Sequence, residues 1–493
     1  MKKQINYISK LAILCFTLTF FIAIASSCSS DDDNTTQAFS DQDGDGVSDT
    51  LDNCPETSNP NQLDSDDNGI GDVCDDRDGD GIVDSEDNCP NEPNPDQLDS
   101  NNNGIGDACE DNIQPLFPCI NGMAGEFPCN DYDLMATLSI AEMGAAGSGN
   151  DSWGWTDPLN GKEYALVGTS SGSVFVDISN TSQLTVVGIL PTATSNSSWR
   201  DIKVYNNHAF IVSEASNHGM QVFDLTRLRN VTNAPETFTP DAHYTGFGSA
   251  HNIVINEDSG YAYGVGTTTF NGGPHFVNIQ NPTNPVAAGG YANGGYSHDA
   301  QVVTYNGPDN NAEIPGVSSY IGREILIGSN ETEIVLVDIT DKANPIEIST
   351  ISYNNVGYTH QGWFTENQQY FILGDELDEQ NFGGNTRSLV FDFSDLDNPT
   401  FQMEYFGPTL AIDHNGYVKD NIYYQANYRA GVRMIDITNI GSNTMTEVGF
   451  FDTYPGSNSA NFNGAWNVYP YFESGNILIS DIDRGLFIIK KSN

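Results

Sequence analysis

Four of the eight histidines in this 493-residue chain occupy one kind of position. His251 in FGSAHNIVI, His298 in GGYSHDAQVV, His360 in GYTHQGWF and His414 in AIDHNGYV each follow a turn and precede strand-like residues. Aligning the chain on them exposes a second motif downstream, seen in SVFVDISNTSQLTVVGIL and IVLVDITDKANPIEISTI. It consists of a strand, an Asp-hydrophobic-Ser/Thr exit, a polar turn often containing Asn-Pro, and another strand. In the remaining units tryptophan fills the histidine position: Trp153, Trp199 and Trp466. Seven units result, beginning near Ser152, Ser198, Ala250, Ser297, Thr359, Asp413 and Ala465. Four short strands in roughly 45 to 60 residues predict the blades of a β-propeller, so the expected fold is all-β with seven blades. The seventh unit ends at GLFIIKKSN, one strand short, and DYDLMATLSI ahead of the first supplies the missing outer strand. Closure of that kind removes an exposed sheet edge.

On this reading His251, His298, His360, His414, Trp153, Trp199 and Trp466 start the innermost strands and ring the mouth of the central channel. Two roles are open to the histidines. They either pack the channel wall, pairing with backbone carbonyls or with Asn252, Asp299, Gln361 and Asn415, or converge as neutral imidazoles on a transition metal. In the second case the acids Glu214, Asp375, Glu376, Asp481 and Asp483, in turns between second and third strands, are the candidate helpers. Asp177, Asp224, Asp338, Asp392 and Asp436, at the strand exits, are expected to fix turns through Asx hydrogen bonds. The V-x-V-D-I-[ST] exit resembles the LVIVD-repeat proteins. Over about residues 130–490 the whole pattern resembles the choice-of-anchor B family of bacterial surface proteins, with Asn278 and Lys490 departing from it. The resemblance implies a propeller on an exported protein with a variable anchor, and it carries no reaction.

Ahead of the repeats, residues 31–112 hold 26 acidic residues against a single basic one, Arg77, about half of the chain's net charge of -49. A free polyanion of that density stays extended, but these acids fall in register. Four segments obey D-x-[DN]-x-[DN]-G-[IV]-x-D-x-x-[DE]. They are Asp41, Asp43, Asp45, Val47, Asp49 and Asp52; Asp64, Asp66, Asn68, Ile70, Asp72 and Asp75; Asp76, Asp78, Asp80, Ile82, Asp84 and Asp87; and Asp99, Asn101, Asn103, Ile105, Asp107 and Glu110. Alternate side-chain oxygens, a glycine at the sharp turn and a backbone carbonyl at the seventh position are the ligand set of a calcium loop. A paired EF-hand needs a helix after each loop, whereas NCPETSNPNQ and NCPNEPNPDQ follow here and their prolines oppose one. The combination DNCP…NPxQxDxDxxGxGDxCD resembles thrombospondin type 3 repeats over about residues 41–111. That resemblance implies ions and disulfides in place of a hydrophobic core, with Cys54 joined to Cys74 and Cys89 to Cys109.

The first thirty residues have a basic start, an apolar run from about Leu11 and small residues before Cys28, the features of an export signal. IASSCSS resembles a bacterial lipobox, with Ala25 where Leu is usual, and implies acylation of Cys28. Six further cysteines, Cys54, Cys74, Cys89, Cys109, Cys119 and Cys129, all precede the repeats and read as a disulfide framework in an oxidising compartment. Expected boundaries are 1–27 signal, 28–40 linker, 41–111 calcium repeats, 112–131 linker and 132–493 propeller. The strongly acidic balance excludes nucleic acid as a partner. Familiar nucleophile-elbow, zincin-helix and phosphate-loop motifs are absent. The sequence thus points to a lipid-anchored surface lipoprotein that binds calcium and presents a propeller to an extracellular protein or glycan. The alternative is a metal-dependent surface enzyme built on the histidines.

Overall fold

The computed structural model describes residues 40–64, 68–98, 106, 108 and 114–492. The chain divides into two compact units, Met1–Asp75 and Asp76–Asn493. The described part of the first unit has neither helix nor strand. It is held by the Cys54–Cys74 disulfide (Cα–Cα 5.8 Å) and by amide side chains folded onto the backbone. Asn53 N donates to Gln62 Oε1 at 2.9 Å, and Asn59 Nδ2 to Asn53 Oδ1 at 2.7 Å. Residue 71 must be glycine, because a Cβ there would lie 2.6 Å from both Asn53 Oδ1 and Cys54 Sγ.

The second unit opens with the same construction: Asn88 N donates to Gln97 Oε1 at 2.9 Å, and Asn94 Nδ2 to Asn88 Oδ1 at 2.7 Å. Cys89 is disulfide-bonded; its expected partner Cys109 lies outside the described residues, as do Cys28, Asp66, Asp99, Asn101, Asn103, Ile105, Asp107 and Glu110.

Beyond residue 117 the second unit is a seven-bladed β-propeller of seven sheets, antiparallel but for one strand pair. The innermost strands are Gly149–Thr156, Arg200–Tyr205, Asn252–Asn256, Asp299–Thr304, Thr359–Phe364, Gly416–Lys419 and Ala465–Tyr469. Tyr132–Leu138 pairs antiparallel with Gly485–Lys491 and completes the seventh blade, as the one-strand deficit of the last repeat requires. The blades pack face to face, so their middle strands are covered on both sides. Val174, Phe175, Val176 and Ile178 are all fully buried, and so are Val335, Leu336, Val337 and Ile339. This is why the repeat motif reads as a nearly continuous apolar run and not as an alternation. Each run ends in its aspartate, whose Oδ1 accepts the backbone N–H two residues on: Ser179, Thr226, Thr340, Ser394 and Thr438 donate to Asp177, Asp224, Asp338, Asp392 and Asp436 at 2.8–3.0 Å. Asn278 does the same for Gln280.

Two features depart from a simple repeat. In the second blade the expected fourth strand, around APETF, pairs instead through Glu236–Thr237 with the outer strand of the first blade in parallel, and Ala242–Tyr244 takes its place. The 3₁₀ turn Leu225–Asn230 lengthens the connection and permits the exchange. Within the stretch read as a linker, Met123–Ala124 and Phe127–Asn130 form a hairpin, cross-linked by Cys119–Cys129, that extends the sixth blade through Phe451 and Phe450. Among the described residues no helix is long and apolar enough to cross a membrane.

Candidate functional site

The four histidines stand side by side at the start of blades three to six. Ring centroids are 4.1 Å apart for His251–His298, 4.4 Å for His298–His360 and 4.4 Å for His360–His414, and Trp466 follows His414 at 4.8 Å. Register bulges between Thr359 and Gln361, and between Ala465 and Asn467, turn His360 and Trp466 into this layer. Trp199 continues the rim and is 44% exposed. Trp153 does not belong here, contrary to the sequence alignment. A bulge between Gly149 and Ser152 shifts it along its strand, and it packs edge-on against Tyr417 and Tyr469 with the Lys203 ammonium 4.6 Å from its ring centre.

Burial holds the imidazoles of His298 and His360 well below their usual range, helped by the neighbouring rings, and pushes that of His414 down to about 3. All three are therefore neutral at neutral pH. A carbonyl can only accept, so the 3.2 Å contact of His298 Nδ1 to His360 O and the 2.6 Å contact of His414 Nδ1 to Trp466 O place the proton on Nδ1. Their Nε2 atoms keep lone pairs. His251 Nδ1 is instead 2.6 Å from Glu214 Oε1.

Of the five loop acids, Glu214 and Glu376 reach the histidines. Glu376 Oε1 lies 3.8 Å from His360 Nε2 and 3.7 Å from His414 Nε2, and the Tyr428 hydroxyl donates to it at 2.7 Å. Burial pushes its carboxyl up to about 7. Asp375 accepts from the backbone of Gly357 and Tyr358. Asp481 accepts from the N–H of Asp483 and Arg484, and Asp483 from Asn463, so these three shape loops. Next to Glu376, Asp378, Glu379 and Asp413 form a buried carboxylate group with Arg387, whose Nε donates to Asp378 Oδ2 at 2.5 Å. The sequence offered no sign that Glu376 and Tyr428 meet, because they belong to loops of different blades and the contact exists only once the ring is closed.

Further along the same innermost strands the channel widens to a cavity of about 440 Å³, lined by Trp153, Lys203, Asp299, Trp363, Tyr417 and Tyr471 among others. Lys203 Nζ bonds Asp201 at 2.5 Å and Asp151 at 3.3 Å. Asn252, Gln361 and Asn415 also line this space, and Gln361 ties blade five to blade six through Gly416 N at 3.0 Å.

The acidic loops have the geometry their spacing demands. Asp41 accepts Gly44 N at 2.8 Å and Gly46 N at 3.2 Å; Asp76 accepts Gly79 N at 2.8 Å and Gly81 N at 3.0 Å. Both glycines of each loop have positive φ, which L side chains rarely adopt. Asp41, Asp43 and Asp45 bring one oxygen each within 4.8 Å of the others, as do Asp76, Asp78 and Asp80. Asp43 Oδ2, Asp78 Oδ2 and Asp87 Oδ2 are buried without a hydrogen-bond partner. Clustered hard oxygens of this kind are the donors that calcium takes. In the second loop Asp64 accepts Asn68 N and Gly69 N, and Asn68 accepts Ile70 N.

The family model of the Thrombospondin type 3 repeat matches residues 40–62 and 63–97. No curated protein matches the chain. Solved structures similar to it include a protein from Lactobacillus plantarum, 14% identical, covering 63% of this chain and 85% of its own, with a TM-score of 0.42. A putative 6-phosphogluconolactonase from Bacteroides fragilis is 10% identical, covers 60% and 82%, and has a TM-score of 0.43. The β-propeller domain of Myceliophteria thermophila Cps50 (Swd1) is 9% identical, covers 74% and 100%, and has a TM-score of 0.44.

Proposed function

We propose that this is an exported, calcium-binding lipoprotein, acylated at Cys28, that displays a propeller of the LVIVD and choice-of-anchor B kind at the cell surface for binding or adhesion. Disulfides and thrombospondin type 3 repeats both belong to oxidising, extracellular settings, and the loops at Asp41 and Asp76 supply the calcium ligands. When bound, calcium supplies the charge that lets these carboxylates approach one another, and it makes the repeats a stiff support.

The observation that carries the binding reading is a group of exposed apolar side chains at the end that bears the histidines, although Leu159 and Ile321 are exposed at the other end. In an antiparallel blade the chain enters the innermost strand, and passes from the second strand to the third, at the same end. Trp199, Leu410 and Phe462 sit on the entries to blades two, six and seven, and Phe382 on a second-to-third turn of blade five. They are 44%, 54%, 40% and 54% exposed, all on the histidine-bearing end. An apolar rim around neutral hydrogen-bonding groups suits a protein surface or the faces of a sugar ring.

Cells displaying the full chain are expected to adhere to a protein- or glycan-coated surface. A Trp199→Ser, Phe382→Ser, Phe462→Ser variant should lose that adhesion at equal surface expression. Undiminished adhesion would place the binding face elsewhere. A second reading, a metal-dependent surface enzyme, is favoured only by the approach of Glu376 to two histidines.

A further inference from the structure

We infer that the propeller mouth binds one divalent transition-metal ion through His360 Nε2, His414 Nε2 and Glu376 Oε1. This goes beyond the binding reading and does not depend on it.

The three atoms belong to a shared space: both nitrogens lie within 3.8 Å of the same carboxylate oxygen. That is too far for a hydrogen bond. It is close to the separation of two ligands that each stand about 2.0–2.2 Å from one tetrahedral ion. Two of the three ligands are also oriented from behind. His414 Nδ1 donates to the Trp466 carbonyl, and the Tyr428 hydroxyl donates to Glu376. Metal-bound imidazoles and carboxylates are held by such outer hydrogen bonds, which fix the tautomer and aim the lone pair.

His360 provides the independent observation. It is 2% exposed, its Nδ1 is buried with no hydrogen-bond partner, and its Nε2 stops 3.8 Å from Glu376. A packing histidine would satisfy at least one nitrogen. An ion on Nε2 gives this ring a partner on the side that faces Glu376, while Nδ1 carries the proton.

The donor set names the ion class. Two imidazoles and one carboxylate, without thiolate, suit zinc or a similar borderline ion and not calcium, which takes oxygen ligands. Three protein ligands leave a fourth position free. His251 lies outside the set, because the ligand atoms that converge within 4.8 Å of one another are those of His360, Glu376 and His414.

The test uses the full chain, stripped of metal and returned to millimolar calcium so that the acidic loops are filled. Cobalt(II) is the probe, because its visible absorption reports tetrahedral nitrogen and oxygen ligation. One cobalt per chain is expected, displaced by zinc. His360→Ala, His414→Ala together should abolish it, Glu376→Gln should weaken it at least tenfold, and Tyr428→Phe should weaken it by about 10-fold or more as an outer partner. His251→Ala should leave it intact. Glu376→Gln preserves the size of the side chain, so its loss of cobalt with an unchanged thermal melt cannot be assigned to unfolding. The inference is overturned if the wild-type chain takes up no cobalt or zinc, if the double histidine variant still binds it, or if His251→Ala removes it as fully as Glu376→Gln.

Discussion

Arg200 is buried at 2% exposure without a carboxylate beside it. Its Nε donates to Thr169 O at 3.2 Å, and its Nη1 lies 3.0 Å from His218 Nε2. His218 Nδ1 faces the Gly219 carbonyl at 3.0 Å and must donate to it, which leaves Nε2 as the acceptor for the guanidinium. The pair works only with a neutral imidazole, and burial first, then Arg200, pushes His218 down to about 4. An unfolded histidine titrates near 6.5. Between those values the unfolded chain holds a proton that the folded one refuses, so this residue's contribution is present above pH 6.5 and is lost as pH falls toward 4. The loss is on the order of 3 kcal/mol. Urea unfolding of wild type and His218→Gln at pH 7 and at pH 4.5 should show the wild type losing more stability across the interval. Parallel losses would mean that His218 does not titrate in this window. Other residues at this scale were legible in the sequence. The strand-exit aspartates bond two residues ahead, a distance fixed by local chain geometry alone. Glu376 was legible only as one of five loop acids, because its partners come from blades five and six and no local rule brings them together.

At the scale of elements, periodicity gave the blades because both faces of each middle strand are buried and the apolar run recurs with its turn. It could not place Trp153, since one extra residue in a strand reverses every later side chain and nothing in GNDSWGWT marks the bulge between Gly149 and Ser152. Nor could it assign the ETF strand to the first blade, because pairing partners are chosen after the chain has turned. The acidic loops are the opposite case: their acids, glycines and turns all lie within twelve residues of one another, so spacing alone specifies them. Their behaviour follows. Without calcium the carboxylates of Asp41, Asp43 and Asp45 repel one another across less than 4.8 Å. Chelation should therefore open residues 40–98 to proteolysis, and calcium at about 0.1–1 mM, typical of extracellular modules, should restore protection. Asp41→Asn with Asp76→Asn should raise the calcium required, because each removes a charge from the first ligand position. Digestion that ignores calcium would contradict the assignment of these loops.

At the scale of the molecule the propeller depends on one long-range seam. Tyr132–Leu138 and Gly485–Lys491 come from the two ends of the repeat array, and Leu134 sits opposite Ile489 in their register. Both side chains are fully buried, and both lie in the core that also contains Phe127, Phe451 and Phe487. Every other blade builds its four-stranded core from strands near one another in sequence. The seventh cannot form until the last residues return to the first, so its loop-closure cost falls on this pairing. Leu134→Ala or Ile489→Ala should each cost about 2–5 kcal/mol, the usual range for emptying a buried aliphatic site. The pair should also be coupled. Once either side chain is gone the seam is already loosened, so the double variant should lose less than the sum of the two, by about 0.5–3 kcal/mol. Val277, buried in the third blade, provides the contrast. Val277→Ala combined with Leu134→Ala should be additive to within about 0.5 kcal/mol, because the two share no partner. Denaturant unfolding of these variants decides the point. Additivity across the seam, equal to that of the distant pair, would show that the two side chains are not coupled through it.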